Sequence, residues 1–213
     1  RGRRSCLVYG GASTKKRPQF EPGNSIELSW SGRLEEQLGR FTVAEVTVSR
    51  AGRYLDRPEA LSAINTISSL LRGAVDEGDT AGSALYGPTT LLLDALETWP
   101  VWPALYARWE LGLLSALGFG LDLDKCALSG ANDGLTHVSP KTGRAVRGSE
   151  AEGYVDRLFP LPTFLIDPRA LAMAEDIENA LQLTGYFLEE RLFSAVHKPV
   201  PPARARLVPK LIG

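Results

Sequence analysis

Leu105-Tyr106-Ala107-Arg108-Trp109-Glu110-Leu111-Gly112-Leu113-Leu114-Ser115-Ala116-Leu117-Gly118-Phe119-Gly120 is the stretch that decides the fold. Leu105, Tyr106, Trp109, Leu111, Leu113, Leu114 and Leu117 leave it little polar surface, so it reads as a helix buried on most sides. It starts near Pro103 and ends at Gly118 or Gly120. Such a helix needs apolar neighbours, and the flanking sequence supplies them. Upstream, Ala60, Ile64, Ile67 and Leu71 form a stripe at helical spacing, with Asp56 and Glu59 at capping-box spacing and Pro58 in the first turn. After a loop over 78–82, a second helix runs through Leu91, Leu92, Ala95, Leu96 and Trp99, stops before Pro100, and is either started or kinked by Pro88. Downstream, Asp167-Pro168 opens a last helical region. Its shared face is Ala170, Ala174, Ile177, Leu181, Thr184 and Leu188, and Gly185 is a point where it divides. Pro199-Val200-Pro201-Pro202 reads as the end of regular structure.

Residues 5–50 carry a different period. Ile26, Leu28 and Trp30 alternate with Glu27 and Ser29, a half-buried strand after the turn Pro22-Gly23-Asn24. Phe41, Val43, Val46 and Val48 give another β-rich run, whose alternation breaks at Ala44-Glu45 in the manner of a bulge. Cys6 to Tyr9 precede the turn signal Gly10-Gly11. Three strands make a marginal sheet alone and read as part of a small barrel. Residues 121–150, punctuated by Gly130, Gly134, Gly143 and Gly148, form an irregular or hairpin-like insertion between helices. The expected class is α+β: a β-rich part over 1–52, a helical part over 53–213, and the insertion within it.

The 213 residues are 44% hydrophobic and 23% charged. That excludes a chain disordered throughout and a collagen-like chain. No apolar run is long enough for a transmembrane helix. Two cysteines, Cys6 and Cys126, make no disulfide framework. The chain begins at Arg1, with no signal-peptide pattern, and reads as a processed or truncated product. The net charge of −1 conceals an asymmetry. Residues 1–34 carry +5, residues 195–213 carry +4, and the middle carries −10. Two basic ends on an acidic body suit an anionic partner; solvated surface segments are the plainer alternative.

Catalytic signals are weak. His137 and His197 sit in no nucleophile motif. Gly118-Phe119-Gly120 follows a helix, whereas a nucleotide fingerprint follows a strand. Cys126-Ala127-Leu128-Ser129 has serine where a Cys-x-x-Cys pair has its second thiolate, so no metal and no cofactor is expected. Tyr9, Phe20, Trp30 and Phe41 lie beside the N-terminal cations. Such sets bind single strands, phosphate to cation and base to ring; core packing is the plainer explanation of each ring.

Residues Trp109–Gly130 together with Val138-Ser139-Pro140-Lys141-Thr142-Gly143-Arg144-Ala145-Val146 resemble the central helix and following loop of the RecO family of bacterial recombination mediators. Tyr9-Gly10-Gly11-Ala12-Ser13 and the Gln19–Asn24 turn are similar to the third strand and turn of its N-terminal domain. The resemblance implies a partial OB-fold β-barrel, short of its first two strands, followed by an all-α domain with a degenerate zinc-finger-like loop. Only Cys126 remains of the four cysteines that some members carry in this loop, so the chain resembles the zinc-free branch. It further implies a non-enzymatic, cytoplasmic, nucleoid-associated protein of DNA repair and recombination. Such a protein binds single- and double-stranded DNA, anneals strands, acts with RecR to load recombinase, and binds the C-terminal tail of single-strand-binding protein. No membrane partner is implied. On that reading the first-choice DNA contacts are Arg3, Arg4, Lys15, Lys16 and Arg17. Lys141, Arg144 and Arg147, and Arg204 with Arg206, are second-choice surfaces, for DNA or for an acidic tail. A scaffold whose helical body docks proteins is the alternative.

Overall fold

The computed structural model describes residues 3–32, 39–79, 81–99 and 101–212, and of Trp30, Thr42, Val43, Ala44 and Ala81 it describes the backbone. Arg1 and Arg33 of the N-terminal charge count, and Pro100, lie outside the described residues.

Strands β1 (Cys6–Leu7), β2 (Ser25–Ser31) and β3 (Gly39–Val48) form a sheet in the order β1-β3-β2. β1 runs parallel to β3, and β2 antiparallel to it, pairing Ile26 with Val46 and Leu28 with Ala44. The register slips between Ser25 and Ile26 and between Ser29 and Trp30, opposite Thr47 and Thr42. The bulges therefore flank Ala44-Glu45 instead of falling on it. Glu45 stays opposite Glu27, which keeps both exposed carboxylates on one face. Tyr9–Ser13, strand by the resemblance, forms the turn that Gly10-Gly11 signals: Gly11 N–H donates to Val8 O and Ser13 N–H to Gly10 O. Gly10, at φ +69°, supplies the left-handed backbone this needs. Among the described residues the sheet is open and no barrel closes.

Among the described side chains, no apolar one before Tyr54 belongs to the buried core. The sheet is fixed to the helices by a polar seam. Arg50, in the short helix α1 (Arg50–Arg53), pairs with Asp94 through Nε at 2.7 Å and Nη2 at 3.0 Å. Its Nη1 donates to Gly23 O and Ser25 Oγ. The turn at Pro22-Gly23-Asn24 presses on the helical part: a Cβ on Gly23, at φ +86°, would lie 2.9 Å from Ile64 Cγ2.

The core is built from α2 (Pro58–Ala74), α3 (Ala81–Ala95), α4 (Val101–Ala116), α5 (Ala174–Phe187) and α6 (Pro202–Ile212). Helix α4 packs between α3 and α5 and buries Trp102, Tyr106, Trp109, Leu113 and Leu114, as its composition requires. Four expectations are corrected, and the open one at Pro88 is narrowed. Helix α2 takes Arg57 as its N-cap with no side-chain cap, so Asp56 and Glu59 form no capping box; Pro58, which needs no N–H partner, is what starts it. Pro88 lies inside α3. The last region opens at Ala174, where Asp176 caps Met173 N–H; Asp167 instead closes a turn onto Arg169 N–H. Gly185 does not divide that helix, which passes through it and widens into a π-helical turn over Leu188–Phe193. The proline run does not end regular structure: Pro202 sits in the first turn of α6, where proline fits.

The helical part is not all-α. β4 (Leu135–Val138) and β5 (Ala145–Arg147) pair antiparallel, and β6 (Phe159–Pro160) joins β4 from beyond the insertion. The hairpin was legible in its glycines; two-residue β6 carries no period to read. No helix of the described residues is long and apolar enough to cross a membrane.

Candidate nucleic-acid interface

The two basic ends of the sequence meet at one place, the C-terminal end of α2. A helix ends with unpaired carbonyls and a partial negative charge, which draws cations. Arg3 Nη1 donates to Arg72 O at 2.7 Å and to Val75 O at 2.6 Å. Lys198 Nζ donates to Gly73 O at 3.0 Å. Arg72 itself, exposed in the last turn, lines two clefts. One, of about 870 Å³, also holds Arg3, Arg4 and Arg50; the other, of about 560 Å³, also holds Lys198 and Arg206. Arg3, Arg4, Arg72, Lys198 and Arg206 thus form one cationic face around a helix terminus. Carboxylates stand beside it, since Asp76, Glu77 and Asp79 follow the end of α2 directly. Glu77 accepts Ser5 N–H at 2.6 Å, and that N–H first, then the nearby Arg3 and Arg4, hold its carboxyl below the usual range.

The other expected residues are placed differently. Lys15, Lys16 and Arg17 are exposed on the turns after β1 and not on a strand pair. Lys16 Nζ donates to Tyr9 O at 3.0 Å, and Arg17 approaches Glu21 at 3.8 Å. Arg144 and Arg147 sit on the insertion and pair with Asp122 at 3.1 Å and Asp133 at 2.7 Å. Lys141 is exposed on the β4–β5 turn.

Arg204 is set apart from Arg206. Its side chain is 12% exposed, and its Nε and Nη2 bind Glu110 Oε1 and Oε2 at 2.7 and 2.8 Å. Glu110, with no exposure, also accepts Tyr106 Oη at 2.7 Å and Thr184 Oγ1 at 2.5 Å. A Cβ on Gly185 would lie 2.6 Å from Arg204 Nη1, so glycine there makes room for the guanidinium. Burial alone would lower the Arg204 pKa; Glu110 outweighs it and raises it. The geometry makes this arginine a tie between α4, α5 and α6.

The insertion holds a polar knot around Cys126. Cys126 and Ser129, and Arg147 and Glu150, are two pairs at Cys-x-x-Cys spacing that converge in space. Cys126 Sγ donates to Glu150 Oε2 at 3.1 Å and accepts Arg147 N–H at 3.3 Å. Burial would raise the thiol pKa, but the N–H groups of Ser129, Arg147 and Leu128 bring it below the ordinary value. Among the described residues no group of three or more His, Cys, Asp or Glu side chains could hold a metal ion.

An open strand sheet joined by a polar seam to a helical body, with Arg3 and Arg4 from one basic end and Lys198 and Arg206 from the other lining clefts at the end of α2, is an α+β architecture with a small second sheet in its helical part. The family model described as Recombination protein O C terminal matches residues 55–199. The chain is 69% identical over 211 residues to the DNA repair protein RecO of Hyphomonas neptunium, covering 99% of this chain and 87% of that protein. Its identity to the RecO protein of Ruegeria sp. is 45%, over 99% and 86% of the two chains, and to that of Phenylobacterium zucineum 41%, over 99% and 86%. The chain belongs to the RecO family.

Proposed function

We propose that this chain acts in DNA repair and recombination by binding DNA phosphates on the face around the end of α2. The observation that carries this is the convergence of Arg3, Arg72, Lys198 and Arg206 from three distant parts of a chain whose middle is strongly acidic. Each phosphate met by a cation releases counterions, so affinity falls with salt. Such contacts carry no base information, which suits a protein that holds any two complementary strands for annealing. Lys15, Lys16 and Arg17 extend the surface along the N-terminal turns. Lys141, Arg144 and Arg147, on the insertion, are the surface for a partner, with the acidic tail of single-strand-binding protein and a RecR-type protein as the candidates the family suggests. No step of this role calls for a catalytic group.

The test is titration of single-stranded DNA across salt concentrations. Eight phosphate contacts, five from the face and three from Lys15, Lys16 and Arg17, give a slope of log affinity against log salt near −5.6, from about −0.7 per contact. Replacing Arg72 and Arg206 by Ala flattens the slope by about 1.4, and replacing Lys15, Lys16 and Arg17 flattens it by about 2. Replacing Arg144 and Arg147 spares it. A wild-type protein that binds no DNA at low salt refutes the proposal and leaves the protein-docking scaffold.

A further inference from the structure

The larger of the two clefts has a property that phosphate binding does not use. It lies between the Arg3–Ser5 segment, the turn at Gly23–Ser25 with Arg50, the second half of α2 and the face of α3 from Gly82 to Leu93, and its apolar lining comes from Ile67, Leu71 and Leu85. At its edge stands Tyr86, 68% exposed on α3. Arg3, Arg4 and Arg72 line the same cleft, and no carboxylate lines it among the described residues. At about 870 Å³ it is within the size range of small-ligand sites.

We propose that this cleft receives an unstacked base of single-stranded nucleic acid. Tyr86 is the stacking platform, and Arg72 holds the neighbouring phosphate. An exposed aromatic ring beside arginines is the combination that single strands use, because every base has a π face and every linkage a charge. A duplex presents its bases stacked and paired, so it meets the arginines and leaves Tyr86 uncovered. The surface would therefore hold both forms of DNA by phosphate and add affinity for the single strand. This rests on the DNA-binding reading above and goes beyond it by assigning a base site.

The test uses the full chain and three probes: a short oligothymidylate, an abasic strand of the same length, and a duplex. Tyr86→Ala lowers affinity for the oligothymidylate roughly 5- to 150-fold, the range for loss of one base stack, with the salt slope unchanged. It leaves the abasic strand and the duplex unaffected, and Tyr86→Phe retains wild-type binding. A fluorescent adenine analogue in the strand loses emission on binding to the wild type and not to Tyr86→Ala. Thermal unfolding of Tyr86→Ala at the wild-type midpoint shows that the effect is local. If the wild type binds DNA with the expected salt slope but Tyr86→Ala binds oligothymidylate equally well, this inference fails and the DNA-binding reading stands. Equal loss on the abasic strand overturns it as well, since no base is then involved. Loss of binding to an acidic peptide, with oligothymidylate binding kept, makes the cleft a peptide groove and also overturns it. Absence of all DNA binding refutes the reading beneath.

Discussion

Glu110→Leu should be among the most damaging single substitutions in this chain. The carboxylate has no exposure and accepts from Tyr106 Oη, Thr184 Oγ1 and two Arg204 nitrogens. Removing it leaves a guanidinium that is 12% exposed and without its counter-ion. Removing one partner of a buried pair costs about 3–5 kcal/mol. Thr184 keeps its bond to Ala180 O, whereas the buried Tyr106 hydroxyl loses the acceptor it had. For a chain of this length that cost lowers the melting midpoint by roughly 6–20 °C. Urea unfolding followed by tryptophan fluorescence reads it, because Trp102 and Trp109 are buried in the helical core. The combined variant Glu110→Leu, Arg204→Met, Tyr106→Phe removes every stranded polar group and should recover most of the loss. High salt should change neither result much, since buried pairs are poorly screened. If Glu110→Leu costs under about 1 kcal/mol, or the three substitutions add as independent ones, the buried tie is not what holds α4, α5 and α6 together.

Residues 5–50 should exchange amide hydrogens well before residues 60–117, because the open sheet adds no apolar side chain to the core; equal protection of the two would overturn that account. The seam between them should loosen in acid. Arg50's hydrogen bonds hold the Asp94 carboxyl below its usual range, so its contribution is full above the unfolded value of about 3.9 and is lost as pH falls through the lower folded value. Protection of the sheet that stays flat below pH ~4 would contradict this. Purified protein should carry no stoichiometric zinc, since Ser129, Arg147 and Glu150 stand with Cys126 at the four converging positions; elemental analysis finding about one zinc per chain would refute it.

What the sequence makes legible follows from the kind of signal each element carries. Helix α4 is apolar nearly all round and can only be a buried helix, and β2 shows clean alternation, so both can be read directly. The misreadings fall where one residue serves two purposes. Proline breaks helices and also starts them, and at Pro202 the second use applies. Glycine ends helices, but Gly185 is small because Arg204 passes over it, a contact between residues on different helices. Arg204 and Arg206 look alike as neighbours in a basic tail. On α6 they point to different surroundings, and only the partner at Glu110, 94 positions away, separates a buried tie from a surface charge. The spacing of Arg147 and Glu150 echoes that of Cys126 and Ser129, yet without thiolates nothing in the sequence marks it.

The gathering of the two basic ends has a cause within the fold. The middle of the chain carries −10, which would repel a polyanion over most of its surface. The end of α2 needs hydrogen-bond donors for its last carbonyls and favours positive charge. Arg3 arrives from the N-terminal side and Lys198 from the C-terminal side, and both supply donors there. Neither gives up its charge in doing so, because a carbonyl accepts a hydrogen bond without neutralising a cation. The same contacts that close the helix therefore leave a cationic surface, and Arg72 in the last turn joins its two halves. On the proposed function, stability of α2 and attraction for DNA phosphates are linked through these side chains. Arg3→Ala should lower both, while Arg206→Ala, which removes none of the hydrogen bonds to those carbonyls, should lower only the second.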